Sequence, residues 1–324
     1  MDLVYWTHED CFIFKPDFNG KITNYLDIIK QHNKLIFSNF DDLKMSIKQI
    51  NDKNIMCWQN HTGSRFNVQL GNSLVHMTHL THITFGSKYN QPLTNSLDQL
   101  INLKYLIFGY HFDRPLGNSL DKLINLTHIC FGRDFNVQLA NSLIQLRNLT
   151  HIYFGYWFNK PLGNSLEQLI NLTNITFGSK YNQPLGNSLE QLRNLTYLTF
   201  GDNFNQPLNN QIYYLTKLEH LTLGYDFNQE LNLPSNIKIL TLNCNNHNLI
   251  DSLPNSIEQL NLVRDFNLPL DNLPNSIKKI LFDKYSRYNN PLNNLPKSLE
   301  QLELPRLYNL EIKNKTLNCK IIYL

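Results

Sequence analysis

The sequence predicts a repeat solenoid, with a parallel β ladder along one side and short helical or turn segments returning along the other. Three observations carry this. A corner of the form aromatic–Asn–x–x–Leu recurs at Phe66, Tyr89, Phe112, Phe135, Phe158, Tyr181, Phe204 and Phe227, each 23 residues after the last. Between corners the apolar residues alternate, as in Leu195, Leu198 and Phe200, which is the period of a short strand with one buried face. A glycine follows that strand in every full copy, from Gly86 to Gly224, where the chain is expected to turn without a Cβ in the way.

The elements follow in order. A degenerate copy from Phe18 keeps Ile22, Leu26, Ile29, Leu35 and Phe37 in register, whereas Phe40 to Arg65 fits poorly and reads as a worn repeat or an insertion. In the regular copies Ser96, Ser142, Ser165 and Ser188 open an S-x-x-Q pattern, which predicts a capping box for one helical turn. From Leu231 the coils shorten by dropping that turn, passing almost directly from Leu-Pro into the strand. The corner continues at closer spacing at His247, Phe266, Tyr288 and Tyr308. This divides the chain into an N-terminal cap with a degenerate repeat (1–65), a repeat array (66–307) and a C-terminal cap (308–324). A single coil cannot cover its own apolar faces, so stability comes from stacking about 11 or 12 of them, with strands about 4.8 Å apart. The corner asparagine is read as structural, able to bond backbone in its own and the adjacent coil. Asp113 replaces it once without the amide donors, which predicts the loosest corner of the series.

The F-N-x-P-L corner, with N-S-L and L-T-x-L-x-F-G, is similar to the FNIP repeat, a relative of the leucine-rich repeat found in social amoebae and in giant viruses of amoebae. The resemblance covers residues 66 to 307 and implies a leucine-rich-repeat-like solenoid that binds another protein. Many such proteins carry an N-terminal F-box that docks a cullin-type ubiquitin ligase. No L-P-x-E opening is present here, so a degenerate F-box-like segment within residues 1–65, making the chain a ligase substrate receptor, is the alternative.

A formal charge of +3, with charges interspersed, does not point to nucleic acid. No apolar run is long enough for a bilayer span, and the start lacks the basic end and apolar core of a signal peptide. Five cysteines, odd in number and never in a C-x-x-C pair, fit a reducing compartment rather than a disulfide scaffold. The expected location is cytoplasmic, the host cytoplasm if the chain is viral.

No catalytic residue, cofactor site or metal site is assigned. No P-loop, G-x-S-x-G, G-x-G-x-x-G or H-E-x-x-H is present. His76, His79 and His82 straddle the junction from turn to strand and are read as a solvated trio. The N-x-T asparagines at positions 60, 125, 148, 171, 174, 194 and 314 follow the repeat and are expected to be unmodified. Strand-face carboxylates are scarce: Glu258 and Glu300 alternate with Lys278 and Lys279, which reads as charge pairing between coils.

The outward strand columns vary while the core columns hold. One reads His82, Tyr105, His128, His151, Asn174, Tyr197, His220; the next reads Thr84, Ile107, Cys130, Tyr153, Thr176; past the glycine come Ser87, Tyr110, Arg133, Tyr156. Tyr, His and Arg are favoured at protein interfaces. The expectation is therefore a non-enzymatic interaction solenoid whose protein partner meets Tyr105, Tyr110, His128, Arg133, His151, Tyr153, Tyr156 and Tyr197.

If stability resides in stacking, a two-coil fragment of residues 158–203 is expected to be unfolded in water. A sharp thermal transition from that fragment would show the coil to be self-sufficient.

Overall fold

The computed structural model describes residues 3–51, 63–312 and 319–324. The chain forms two compact units, Met1–Gly178 and Ser179–Leu324. The sequence-derived boundaries at 65 and 307 fall inside these units.

The first unit opens with an antiparallel hairpin, β1 (Tyr5–His8) and β2 (Cys11–Phe14). Every later pairing in it is parallel: β3 (Lys34–Phe37), β4 (His82–Thr84), β5 (Tyr105–Ile107), β6 (His128–Cys130), β7 (His151–Tyr153) and β8 (Asn174–Thr176), in chain order. The register places like on like, so Leu35, Ile83, Leu106, Ile129, Ile152 and Ile175 form one inward column, all essentially without solvent exposure. The second unit repeats the scheme with β9 (Tyr197–Thr199), β10 (His220–Leu223), β11 (Ile239–Leu242), β12 (Gln259–Leu262), β13 (Lys279–Phe282), β14 (Gln301–Leu304) and β15 (Lys320–Tyr323). Among the described residues the strands make about 13 turns, slightly more than the 11 or 12 coils expected, because Cys11–Phe14 and Lys320–Tyr323 also enter as rungs.

Two aromatic columns fill the corner of the first unit. Phe85, Phe108, Phe131, Phe154 and Phe177 stack at 5.2–5.8 Å between centroids, and Tyr89, Phe112, Phe135 and Phe158 stack at 6.0–6.2 Å. Within each coil the two columns meet at 4.1–4.4 Å. Offset-stacked pairs of this kind contribute about 0.5–1.5 kcal/mol beyond area burial.

The corner asparagines form a second ladder. The Oδ1 atoms of Asn19, Asn67, Asn90, Asp113 and Asn136 each accept from the backbone N–H of the equivalent residue one coil on, at 2.9–3.0 Å. In the second unit Asn182, Asn205, Asn245 and Asn267 do the same at 2.7–3.0 Å. Asp113 is therefore no loose corner: its side chain accepts as its asparagine neighbours do, and a carboxylate supplies that as well as an amide, although Asn267 in the second unit also donates its Nδ2 to Asn289 Oδ1 at 2.9 Å.

Two local expectations change. The predicted capping box does not form at Ser96 or Ser165, whose hydroxyls donate to the carbonyls of Leu93 and Leu162; the return segments are successive turns, with Ser165 N–H on the Leu162 carbonyl at 3.0 Å and Leu169 N–H on that of Leu166 at 3.0 Å. The Ser165 hydroxyl donates backwards, to the carbonyls of Leu162 and of Ala140 in the preceding coil, and so caps nothing. The glycine after each strand is required by close approach rather than by turning. A Cβ on Gly132 would overlap the carbonyl of Gly109, and one on Gly155 would overlap that of Gly132. The turning glycine is a different one, Gly117 at φ 51° with open space around it; Thr94 and Ala140 hold the same position at φ 46° and 47°.

These two glycines predict different losses. Gly117→Ala should cost about 1–2 kcal/mol, the ordinary penalty of a left-handed residue. Gly132→Ala should reach or exceed the top of the roughly 1–3 kcal/mol range for overpacking, since no flexible atom can give way. Equal shifts in denaturant titrations would show that backbone contact does not limit the coil spacing.

Candidate interaction surface

The outward face of the first unit inherits the same register. His82, Tyr105, His128 and His151 stack ring on ring at 4.2, 4.3 and 4.1 Å. Each histidine is steadied by the threonine before it: Nδ1 lies 2.7 Å from Thr81 Oγ1 in His82, 2.9 Å from Thr127 Oγ1 in His128 and 2.9 Å from Thr150 Oγ1 in His151. Those hydroxyls donate to carbonyls of the preceding coil, at 3.2, 3.0 and 2.9 Å. With the hydroxyl proton so used, Nδ1 of each ring is the donor, which sets the tautomer. His82 faces Lys34 across the ladder. Burial, reinforced by that lysine, pushes its imidazole down to about 4.

The second outward column is less open than the alternation suggests. Thr84, Ile107 and Cys130 are 1%, 3% and 2% exposed. Tyr153 is half-buried against Ile107 and Cys130, and burial raises its phenol pKa. Further back, the helix Leu43–Asn51 sets Leu43 and Ile47 with Trp6 over Cys11, Ile13 and Ile36. The stretch that breaks the repeat thus covers outward residues of β2 and β3.

Past the glycine, the Arg133 guanidinium lies between two rings, 5.1 Å from the Tyr110 centroid and 4.8 Å from that of Tyr156, and donates to the Tyr110 hydroxyl. Beside it His111 Nδ1 meets Asp134 at 2.7 Å, with Lys88 Nζ 3.4 Å from His111 Nε2. Lys88, His111 and Asp134, with Asn67, Asn90 and Asp113, line a shallow groove along the corner.

Seven of the eight residues expected at the partner site therefore lie on one face of the first unit. Tyr105, His128, His151 and Tyr153 sit on strands, with Tyr110, Arg133 and Tyr156 just beyond them. Tyr197 belongs to the second unit, where it is exposed and stacks on His220 at 4.0 Å. Sequence reasoning passed over His82, which heads the stack, and Trp157, exposed and edge-on to Tyr156 at 5.2 Å. His82 already headed the outward column as read, and one further column past the glycine would have added Trp157.

The other motifs resolve locally. His76 is exposed, His79 Nε2 lies 3.0 Å from the His32 carbonyl and His82 joins the stack, so the trio does not converge. Among the described residues no group of three or more His, Cys, Asp or Glu could hold a metal ion, and no helix is long and apolar enough to cross a membrane. The Nδ2 atoms of Asn125, Asn148 and Asn171 each donate to a carbonyl one coil back, at 2.9–3.0 Å; Asn60 and Asn314 lie outside the described residues. Glu219 and Glu258 pair with Lys238 and Lys278, each at 2.8 Å, and the lysine hydrogen bond lowers each carboxyl's pKa. Cys11 and Cys244 are free, buried thiols, whereas Cys130 is disulfide-bonded, which the reading of a reducing compartment did not anticipate.

A parallel ladder with one apolar column per strand and turns on the return side defines a leucine-rich-repeat-like solenoid. The FNIP Repeat family matches residues 227–265 and 245–285, most of which lie in the shortened coils. The structure is similar to that of CroV588, a circular leucine-rich-repeat protein of a giant virus, at TM-score 0.66 and 25% identity, over 98% of this chain and 50% of that one. The chain thus spans half the length of that relative. Internalin InlF of Listeria monocytogenes shares the fold at TM-score 0.55 and 13% identity, over 79% of this chain and 84% of that one. A chain of the Drosophila Toll–Spatzle complex does so at 0.58 and 15%, over 93% and 42%. No curated protein matches the sequence.

His82 gives the fold a pH dependence of definite sign. Its folded pKa lies below the unfolded value of 6.5, so the unfolded chain takes up the proton first. The stability is fully present above pH 6.5 and is lost as pH falls from there to about 4. Melting temperatures across that window should decline more gently in His82→Gln than in the wild type. Parallel declines would show that His82 is not the group responsible.

Proposed function

We propose that this chain is a non-enzymatic interaction protein that holds a protein partner against the outward face of its first unit, between His82 and Tyr156. The observation that carries the reading is the stack of His82, Tyr105, His128 and His151 beside the Tyr110–Arg133–Tyr156 sandwich. Rings already stacked and steadied by threonine have little rotamer freedom left to lose, which lowers the cost of binding. Tyrosine and arginine are also the residue types in which interface hot spots concentrate. Leucine-rich-repeat-like folds serve widely as interaction scaffolds, and the Toll structure similar to this one is itself a complex with Spatzle. The ligase-receptor alternative has no observation of this kind behind it: the described strands of its segment, Cys11–Phe14 and Lys34–Phe37, are rungs of the ladder.

The test avoids Tyr153, whose packing against Ile107 and Cys130 would make its loss a stability defect. Tyr105→Ser with Tyr156→Ser should leave the far-UV spectrum unchanged while capture of the partner from cytosol falls about tenfold. Glu167→Ala with Gln168→Ala, on the return side, should leave capture intact. If the return-side pair weakens capture as much, the partner sits elsewhere.

A further inference from the structure

The charge on this face suggests what it takes. On strands β4 to β8 and the residues flanking them, from the threonine column through the position after the glycine, the ionised side chains are Lys104 and Arg133, and no Asp or Glu is present. The nearest carboxylate, Asp134, is committed to His111. Arg133 is unlike the other cations close to the face. Lys34 is paired with Asp10, and Lys104 is exposed on a flexible stem. Arg133 is half-buried with both faces of its guanidinium against tyrosine rings, and among the described residues it makes no ion pair. With Nη1 donating to the Tyr110 hydroxyl, the guanidinium still has an edge of N–H donors, Nε and Nη2, for a partner. That edge matches a carboxylate, which it can engage through two parallel hydrogen bonds.

We propose that Arg133 is the specificity residue of this surface and that the partner segment is acidic, placing an Asp or Glu carboxylate on that edge of the guanidinium with Lys104 adding attraction at the far side of the strands. This rests on the interaction surface proposed above and names the chemistry of what it holds. A polypeptide is favoured over single-stranded nucleic acid by the ring geometry. Nucleic acid of that kind is held by bases laid on open aromatic faces, whereas the rings from Tyr105 to His151 spend their faces on one another at 4.1–4.3 Å and offer edges instead.

The test is selection of random displayed dodecapeptides on the immobilised full chain, run in parallel on wild type, Arg133→Gln, Arg133→Lys and the Tyr105→Ser, Tyr156→Ser pair. Folding of each is checked by its far-UV spectrum and melting temperature. Wild type should enrich Asp and Glu about threefold or more over the input library, and a recovered acidic peptide should bind Arg133→Gln at least about tenfold more weakly. Its affinity for wild type should fall with added salt, and that dependence should flatten in Arg133→Gln. Arg133→Lys should fall between, keeping the charge and losing the fork. A pool that depends on the tyrosine pair but is not acidic, or whose acidic bias survives Arg133→Gln, overturns the assignment of Arg133 while leaving the surface in place. An empty pool, or one indifferent to the tyrosine pair, overturns both. Capture of an oligothymidylate that is lost in Arg133→Gln would also overturn the assignment, since the edge would then be serving phosphate.

Discussion

Everything in this protein depends on how closely one coil can lie on the next. In the first unit the limit is set where glycine meets glycine: the carbonyl of Gly109 occupies the place a side chain of Gly132 would need, and the pattern repeats from Gly86 to Gly178. Because the backbones close to that distance, ring columns stack, corner side chains reach the next N–H, and strand hydrogen bonds form in uniform register. Separate the coils by a methyl group and all three weaken together. In the regular coils the aromatic corner and the polar ladder share that one spacing, whereas from β11 on, where Asn243, Val263 and Asp283 follow the strands, the ladder from Asn245 to Asn289 keeps it without glycine.

The same spacing shapes the outward face. Rings that would be mobile as single surface residues become a column because the strands beneath them keep residue on residue, and each ring occupies its neighbour's face. Arg133 behaves likewise, its planar head taking the place of one ring between Tyr110 and Tyr156. The surface keeps the same register as the core for the same reason, although its composition drifts from coil to coil.

What repeats was legible in the sequence, and what does not repeat was hidden. The inward column from Leu35 to Ile175, the stacked phenylalanines and the strand positions of Tyr105, His128 and His151 could all be read from the period. The burial of Thr84, Ile107 and Cys130 could not, because alternation reports which way a side chain points and not whether solvent reaches it. The cover over Ile13 and Ile36 likewise comes from the stretch after Phe40, the one that breaks the period. The glycine was placed correctly and misread in cause, since a turn and a close approach leave the same letter. The serine of S-x-x-Q misled for a similar reason: a hydroxyl can accept or donate, and in Ser165 it donates to two carbonyls.

The corner ladder has a further consequence. At corners such as Asn90, Asp113 and Asn267 one residue offers both an acceptor oxygen to the coil ahead and an N–H to the coil behind, so an extra coil of the same kind brings its own two connections. Nothing in this bonding counts how many coils there are, or how long each one is: the ladder is kept whether the corners are 23 residues apart, as from Asn182 to Asn205, or 22, as from Asn245 to Asn267. Tandem duplication of a coil, or trimming of its return segment, therefore leaves the connection between neighbours intact. The length of such a chain is free to vary under selection for what its surface holds, with no new recognition to be invented at the join.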